Sequence, residues 1–355
     1  MSQGLKNEQI ANLHHIRPCP LTPNSDILII PEREQLFSLF CENYVKGSKT
    51  LKMKLLQETI YYFKDSMNIV YALNNSDVIT MLLKEACSDD LDISTLSIQC
   101  CEHIAREHRG KLDIIKKDGI EAFIKLTTHK DATMRLRTYT CLLSLSEDED
   151  CLDELDKRQV FSLVLKKLLN ETEFPHLIVI NKILGNFLLK PEVTTRFLEN
   201  KAEDTLINNC FKDCMDLTSI SIKNLLYVSY ITQGKLRLMK KDIHKTVLKV
   251  YNQCDKDHYL FISLFASLAQ LTKVKQYYVS EGLSDRCVRL IENNKSDTEI
   301  VLNCLLLLTS LAEFKGQREY LKKHENLITS LYSIDNEGIL KEYIEDLIET
   351  INWKP

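Results

Sequence analysis

Two cysteines are the first residues whose type and spacing could do chemistry. Cys210 and Cys214 lie four positions apart, a spacing that places both thiols on one face if the segment is helical. Two thiolates are half of a structural zinc site, and His103 is a candidate for a further ligand. However, no other His or Cys stands at ligand spacing from them, and none of the 12 cysteines forms a Cys-x-x-Cys pair. Two buried small apolar side chains are therefore the favoured interpretation.

The other candidates for catalysis are weak. The pair His14–His15 is isolated, and the acidic run from Glu147 to Asp150 lacks the alternating oxygen ligands of a calcium loop. The motifs GxxxxGK[ST], GxGxxG, HExxH and GxSxG do not occur, so the sequence shows no phosphate-cradling loop and no nucleophile elbow. We therefore expect no enzyme activity, no small-molecule substrate, no cofactor and no metal.

The composition favours helices joined by short polar turns. The chain of 355 residues has 44% hydrophobic residues but only 9 glycines and 7 prolines, which is too few for folds rich in tight turns. Its net charge of −4 excludes a strongly basic nucleic-acid binder. The first residues lack the apolar core of a secretory signal, and no apolar run is long enough to span a membrane. We expect a cytoplasmic protein with reduced thiols and no nucleic-acid or membrane partner.

An internal repeat is the strongest signal in the sequence. The segment from Gly110 to Asp118 matches the segment from Gly234 to Asp242 at six of nine positions. The offset is 124 residues, which is three units of about 41. The tripeptide that begins at Asp118 also resembles the one that begins at Glu281, which aligns Gly119 with Gly282. Gly110, Gly234 and Gly316 share one phase, where a glycine suits a sharp bend between a long helix and the next short one.

Two registers give the same period independently. An apolar anchor recurs on a predicted short helix at Leu73, Ile115, Leu155, Leu198, Met239, Tyr278 and Leu321. A second register, on a predicted long third helix, runs through Tyr62, His103, Ser144, Asn186, Tyr227, Ser267 and Ser310. Apolar residues follow the i, i+3, i+4, i+7 spacing of helices. Forty-odd residues with two or three helices per unit predict an all-α, right-handed armadillo/HEAT-like α-solenoid of about seven repeats.

The two ends of the chain depart from the repeat. Four prolines fall within the first 31 residues, so we predict an extended arm over 1–31. Residues 32–355 are predicted to form a single solenoid. A capping helix over 32–46 would cover its first repeat, and a second capping helix over 341–351 would close it, because the terminal core faces of a solenoid are otherwise exposed.

The second register predicts a partner-binding surface. Third helices line the concave groove of armadillo proteins, so we predict that Tyr62, His103, Ser144, Asn186, Tyr227, Ser267 and Ser310 form a ladder along it. In grooves of the nuclear-import type this register carries Asn and the register four residues earlier carries Trp. Only Asn186 fits the first requirement, and Trp353 is the sole Trp of the chain. The residues therefore disfavour a nuclear-import adaptor.

Basic residues form a second possible surface on the predicted second helices. They share one phase at Lys84, Lys125, Lys166, Lys249 and Arg289. Residues of equal phase align along a solenoid, so this basic stripe could contact an acidic surface such as tubulin or an acidic partner. A solvated outer face explains the same pattern and is the favoured alternative.

Three segments resemble a known family. They are the stretch Glu107–Leu112, the stretch Ile231–Leu236 and the terminal Ile351-Asn-Trp-Lys-Pro355. Together with the Pro-containing arm and the chain length, they resemble the armadillo-repeat family of ciliary radial spokes, the radial spoke protein 14 family. The resemblance runs over nearly the whole chain, although Gln233 stands where that family has an acidic residue.

The resemblance implies a non-catalytic structural scaffold of the motile cilium or flagellum. Such a protein would belong to the axoneme and the cytoskeleton, and it would brace neighbouring radial spoke subunits through its solenoid surface and its arm. The alternative is a general cytoplasmic armadillo-repeat adaptor for signalling, transport or assembly, unrelated to cilia. The predicted groove and basic stripe serve both interpretations equally well.

Overall fold

Three-helix repeats build the protein. The computed structural model describes residues 33–75, 77–253, 258–333 and 338–353, so the predicted arm over 1–31 lies outside the described residues. Within them every regular element is helical. A pair of helices, Arg33–Lys46 and Lys49–Tyr62, precedes seven repeats of three helices each. The predicted all-α solenoid is thereby confirmed.

The helices of the seven repeats follow in a regular order. The first helices are Ser66–Asn75, His108–Lys116, Glu149–Lys157, Pro191–Glu199, Thr232–Lys240, Thr272–Ser280 and Lys315–Lys322. The second helices are Val78–Ala86, Gly119–Leu126, Val160–Asn170, Glu203–Asn209, Ile243–Tyr251, Leu283–Asn293 and Glu325–Ser330, the last followed by a 3-10 turn over Leu331–Ser333. The third helices are Leu91–Ile104, Ala132–Ser146, Phe174–Leu188, Met215–Val228, His258–Leu268, Thr298–Leu311 and Lys341–Asn352.

A single hydrophobic core runs through the array. Each third helix packs against the second helix of its own repeat and against the third helices of the neighbouring repeats. The buried apolar residues form one cluster that extends from Phe37 to Ile351. The predicted anchors lie on the seven first helices, one on each. Because every repeat buries its apolar faces against neighbours, stability comes from stacking rather than from separate domains.

Aspartates start several of the third helices. Asp90, Asp131 and Asp297 immediately precede the third helices of repeats 1, 2 and 6. In each case a side-chain oxygen accepts a hydrogen bond from a backbone N–H in the first turn, at 2.9 Å from Met134 and 3.0 Å from Ile300, for example. These caps satisfy donors that the helix leaves unpaired, and so fix where each third helix begins.

A left-handed residue joins the first and second helices in five successive repeats. These residues have φ between 54° and 71° and are Asp118, Gln159, Lys201, Asp242 and Gly282. Gly282 therefore occupies the position of Asp118, and not that of Gly119 as the tripeptide match indicates. Only one of the five residues is a glycine, although a positive φ costs other residues about 1 kcal/mol. The left-handed turn between the first and second helices thus recurs in four repeats without glycine, the residue that adopts a positive φ most easily.

The phased glycines have a steric role at two of their three positions. A Cβ at Gly110 would overlap the carbonyl oxygen of Ile104, and a Cβ at Gly234 would overlap that of Val228. Neither glycine has a positive φ, so the first helix requires glycine for its close approach to the preceding third helix, and not for backbone freedom. At Gly316 a Cβ would meet nothing within 4 Å, so the predicted requirement does not hold there.

The different surroundings of Gly110 and Gly316 predict different effects of replacing each glycine with alanine. Gly110→Ala should lower the free energy of unfolding by about 1–3 kcal/mol, because the added methyl group forces the first helix of repeat 2 away from Ile104. Gly316→Ala is the matched control and should be neutral or stabilise by up to about 1 kcal/mol, since alanine favours helices. Thermal unfolding followed by circular dichroism measures both, and equal effects of the two substitutions would contradict the steric role of Gly110.

Candidate protein-binding groove

The predicted ladder residues lie at equivalent points of successive long helices. Tyr62 ends the second helix of the N-terminal pair, and the other six lie near the ends of the third helices of repeats 1–6. Ser144 is buried, whereas Asn186, Tyr227, Ser267 and Ser310 are half-buried. The structure thus places the ladder along one surface, but it gives the members different degrees of access.

A groove follows this surface from repeat 2 to repeat 6, and we call it the third-helix groove. Its larger part has a volume of about 800 Å³ and is lined by the third helices of repeats 4, 5 and 6, including Tyr227, Ser267 and Ser310. A smaller part of about 300 Å³ adjoins it and includes Asn186. Tyr227 and Lys223 line both parts, so the two are continuous. Four of the seven predicted ladder residues therefore share one groove.

Two of the polar ladder residues also bind the preceding repeat. The Asn186 amide donates a hydrogen bond of 2.9 Å to the hydroxyl of Ser146. Ser229 donates one of 2.8 Å to the hydroxyl of Ser267, which in turn donates to the Ser229 carbonyl at 3.2 Å. These bonds connect adjacent third helices under the groove, and they hold the ladder side chains in fixed positions.

A buried amide pair lies beneath the centre of the groove. Asn181 and Asn224 are fully buried on the third helices of repeats 3 and 4. The Asn224 amide donates to the Asn181 carbonyl at 2.9 Å and to its side-chain oxygen at 3.3 Å. Gly185 leaves space for this arrangement, since a Cβ there would lie 2.7 Å from the Asn224 side-chain oxygen. The glycine is therefore needed for the close contact between these helices.

The charges along the groove have an order. Three lysines, Lys182, Lys223 and Lys235, lie in its central part, while Glu147 lies at the repeat 2 end and Glu299 at the repeat 6 end. Lys235 donates a hydrogen bond to Gln270, and burial lowers the pKa of its amine. The groove is consequently cationic in the middle and anionic at both ends.

Exposed aromatic and aliphatic side chains complete the lining. Tyr230 is 58% exposed, and its ring centroid lies 5.7 Å from that of Tyr227. Tyr259 faces the groove from repeat 5, and Leu306, which is 39% exposed, lines it in repeat 6. Tyrosine combines a large apolar area with a hydroxyl and is typical of surfaces that bind other proteins.

The first three ladder residues do not line the third-helix groove, and the third of them, Ser144, is buried. Tyr62 lines a separate apolar pocket of about 290 Å³ with Phe37, Phe40 and Leu55. His103 is half-buried on repeat 1, and its burial together with nearby Arg106 lowers the pKa of the imidazole. The predicted ladder is therefore divided: its last four residues line the groove, and its first three do not.

The predicted basic stripe lies on the second helices, and all of its members are exposed: Lys84, Lys125, Lys166, Lys249 and Arg289. Carboxylates accompany them. Lys84 and Lys125 share a pocket with Glu85 and Glu121, and Arg289 pairs with Asp285 at 2.8 Å. The second helix of repeat 4 contributes no member to the stripe. The stripe is thus interrupted and partly neutralised.

A set of ion pairs between repeats is absent from the sequence predictions. Basic residues at the ends of the first helices contact acidic residues of the preceding repeat: Lys117 with Asp77, Arg158 with Glu121 and Asp118, and Lys241 with Glu203 and Asp204. The sequence does contain a signal for the basic partners of these pairs, because Lys117, Arg158 and Lys241 share one phase of the repeat at steps of 41 and 83 residues. The acidic partners occupy varied positions, so the sequence alone does not pair them.

Glu203 is the buried member of this set. Its side chain is 0% exposed and contacts Arg237 at 2.8 Å and Lys241 at 2.7 Å. Burial alone would raise the pKa of the Glu203 carboxyl, but the hydrogen bonds from Lys241 and Arg237 outweigh burial and lower it. The carboxyl is therefore ionised in the folded protein, and removing its charge takes the carboxylate from Arg237 and leaves Lys241 with Asp204 alone.

Glu203→Gln should lower the free energy of unfolding by about 1–3 kcal/mol at neutral pH, because charge-assisted hydrogen bonds are lost. The exposed Glu199→Gln in the same repeat is the control and should have little effect. Since folding lowers the pKa of Glu203, its stabilisation is full above the ordinary glutamate pKa of about 4.3 and is lost as the pH falls through the lower, folded value. Denaturant unfolding across this pH range should show a weaker acid dependence for Glu203→Gln than for the wild type, and identical profiles would refute the assignment.

The cysteine pair does not share a helix face, so that expectation is wrong. Cys210 follows the end of the helix Glu203–Asn209, and Cys214 precedes the helix Met215–Val228, with a turn between them. The Cys210 thiol donates to the Leu206 carbonyl at 3.2 Å. Within residues 33–75, 77–253, 258–333 and 338–353, no group of three or more His, Cys, Asp or Glu could hold a metal ion. None of the helices described here is both long and apolar enough to cross a membrane.

Comparison with solved structures places this architecture in a known class. The chain is similar to an engineered protein with a TM-score of 0.75 and 13% identity, over 90% of this chain and 79% of that one. It is also similar to a structure from work on a phosphorylation switch that controls the interaction between cadherin and beta-catenin, with a TM-score of 0.67 and 12% identity, over 89% of this chain and 60% of that one.

A third similar structure is a computationally designed armadillo-repeat protein for modular peptide recognition. Its TM-score is 0.58 and its identity 11%, over 67% of this chain and 98% of that one. No protein-family model matches the chain, and no curated protein sequence matches it. At these identities the similarity defines the fold, which is an armadillo-type α-solenoid.

Proposed function

We propose that this protein is a non-catalytic scaffold that binds an extended segment of a partner protein in the third-helix groove. The observation that carries the proposal is the groove itself, which is open, continuous over several repeats and lined by three tyrosines, of which Tyr230 is exposed. Tyr230 and Leu306 expose apolar surface beside the ladder residues. Grooves of this kind suit extended segments, because each repeat offers one set of contacts to a chain that runs across the helices.

The similar structures support a protein partner. One of them is a designed armadillo protein for peptide recognition, and another comes from work on the interaction between cadherin and beta-catenin. The shared fold makes a groove of the same general form available to this chain. The basic stripe is the weaker candidate for a partner surface, because nearby carboxylates such as Glu85 and Asp285 neutralise part of it.

For the cellular setting we propose a radial spoke of the motile axoneme. The support is the resemblance of the stretches around Gly110 and Gly234, and of the terminal Ile351–Pro355, to the armadillo-repeat family of radial spokes. A long solenoid with a groove suits the bracing of neighbouring spoke subunits. A general cytoplasmic adaptor would use the same groove, so the two settings differ in partner and location and not in geometry.

Site-specific crosslinking tests the groove. A photoreactive p-benzoyl-phenylalanine in place of Tyr230 should crosslink to a partner protein in extract from the native cells, because this side chain projects from the groove. The same residue in place of Lys166, on the second-helix surface, is the control and should give little adduct. With the partner identified, Tyr230→Ala should weaken its binding about tenfold or more, as expected for a central aromatic contact, while Lys166→Ala should not. Crosslinking from position 166 alone would contradict the groove assignment.

Fractionation tests the cellular setting. The protein should remain with isolated axonemes after detergent extraction and should leave them only with the salt treatment that releases radial spokes. A cytosolic enzyme from the same cells is the control for incomplete extraction. Recovery of the protein entirely in the detergent-soluble fraction would refute the spoke proposal and favour the cytoplasmic adaptor.

A further inference from the structure

Lys182 and Lys223, in the middle of the third-helix groove, differ from the lysines at the ends of the first helices. Lys117 and Lys241 contact carboxylates of the preceding repeat. By contrast, Lys182 and Lys223 are exposed, and the described residues give them no carboxylate partner. Lys223 lies over the Tyr227 ring, with its amine 5.8 Å from the ring centroid. These two amines are therefore available to an anionic group from outside the chain.

The distance between Lys182 and Lys223 determines how far apart two anionic groups that contact them must lie. Lys182 and Lys223 lie 41 residues apart, at the same phase of two adjacent third helices. Packed helices are about 8–10 Å apart, and an extended chain advances about 3.3 Å per residue. An extended segment that crosses the groove therefore places residues about three positions apart beside successive lysines.

The repeat 6 end of the groove has a different character. Leu302 and Leu306 line it, and Leu306 is 39% exposed. This end lies two repeats beyond Lys223, which corresponds to about six further residues of an extended segment. Glu299 is on the same helix, so an acidic residue of the segment is disfavoured there, whereas an aliphatic one buries apolar surface against the leucines.

We propose that the groove recognises an extended segment that carries two acidic residues about three positions apart, followed by an aliphatic residue about six positions further along in the direction of repeat 6. The acidic side chains contact Lys182 and Lys223, and the aliphatic side chain contacts Leu302 and Leu306. This inference rests on the proposed function and specifies the chemistry of the partner. Lys235 extends the cationic surface, and Glu147 and Glu299 disfavour acidic residues beyond it.

Defined peptides test this chemistry. The probes are fluorescein-labelled 14-residue peptides of Gly, Ser and Thr with one leucine, in three types that are each made with the leucine on either side of the pair. The first carries Asp and Glu three positions apart, with the leucine six positions away; the second has Asn and Gln in their place, and the third two lysines. Because each peptide is tested with the leucine on either side of the pair, both chain directions are covered. The acidic peptide with the leucine on the matching side should bind about tenfold more tightly than its amide counterpart, as measured by fluorescence anisotropy, which is the fold-change expected for two partly exposed charge contacts.

Charge exchange in the protein is the decisive comparison. Lys182→Glu with Lys223→Glu should remove the preference for the acidic peptide and transfer it to the lysine peptide. Lys166→Glu with Lys249→Glu changes the charge by the same amount on the second-helix surface and should leave the preference unchanged. Higher salt should weaken only the charge-dependent part of the binding.

The outcomes separate this inference from the proposed function. Equal binding of the acidic and amide peptides, or tighter binding of the lysine peptide by the wild type, would overturn the acidic assignment while the groove still binds a segment. Absence of binding by all three peptides, with crosslinks to a partner still formed from position 230, would overturn the acidic assignment alone. Absence of both peptide binding and crosslinks would overturn the proposed function as well.

Discussion

The side-by-side stacking of the third helices is the contact on which the rest of the structure depends. Each third helix covers the apolar face of the next, so the buried cluster runs unbroken from Phe37 to Ile351. The first and second helices add further buried side chains to this core. The caps, the ion pairs and the left-handed junctions position helices that the core already holds together. An isolated repeat would expose most of this apolar surface and could not fold alone.

The groove is a product of the same stacking. Helices of similar length at regular intervals leave a trough along their exposed sides. Its lining combines core residues such as Leu226 and Leu260 with residues that the core leaves exposed. The hydrogen bond from Asn186 to Ser146 shows that a lining residue can also join repeats. The groove is therefore rigid where its polar residues are bonded, and chemically variable at Lys223, Tyr230 and Leu306. Binding properties can differ between proteins of this fold without a change in architecture.

The sequence predicts the period and the helix phases well, because apolar burial recurs in every repeat. The anchors and the ladder fall on the expected helices for this reason. The sequence cannot predict features that depend on two repeats at once. The pairing of Lys241 with Glu203 needs the relative position of two repeats, and the steric need for Gly110 depends on the Ile104 carbonyl. The tripeptide match aligns Gly282 with Gly119, but the residue with the same left-handed backbone is Asp118. At this junction the position of the glycine and the position of the left-handed residue therefore differ between repeats.

The buried Asn224 has a consequence for how the chain finds its order of repeats. Its amide needs the Asn181 carbonyl and the space that Gly185 provides, and both lie only on the third helix of repeat 3. A third helix that stacked on the wrong neighbour, within one chain or between two copies, would leave this amide unpaired in an apolar core at a cost of about 1–3 kcal/mol. Apolar contacts between similar repeats cannot discriminate in this way. One polar contact therefore makes repeats 3 and 4 specific neighbours and opposes both slipped folding and exchange of repeats between molecules.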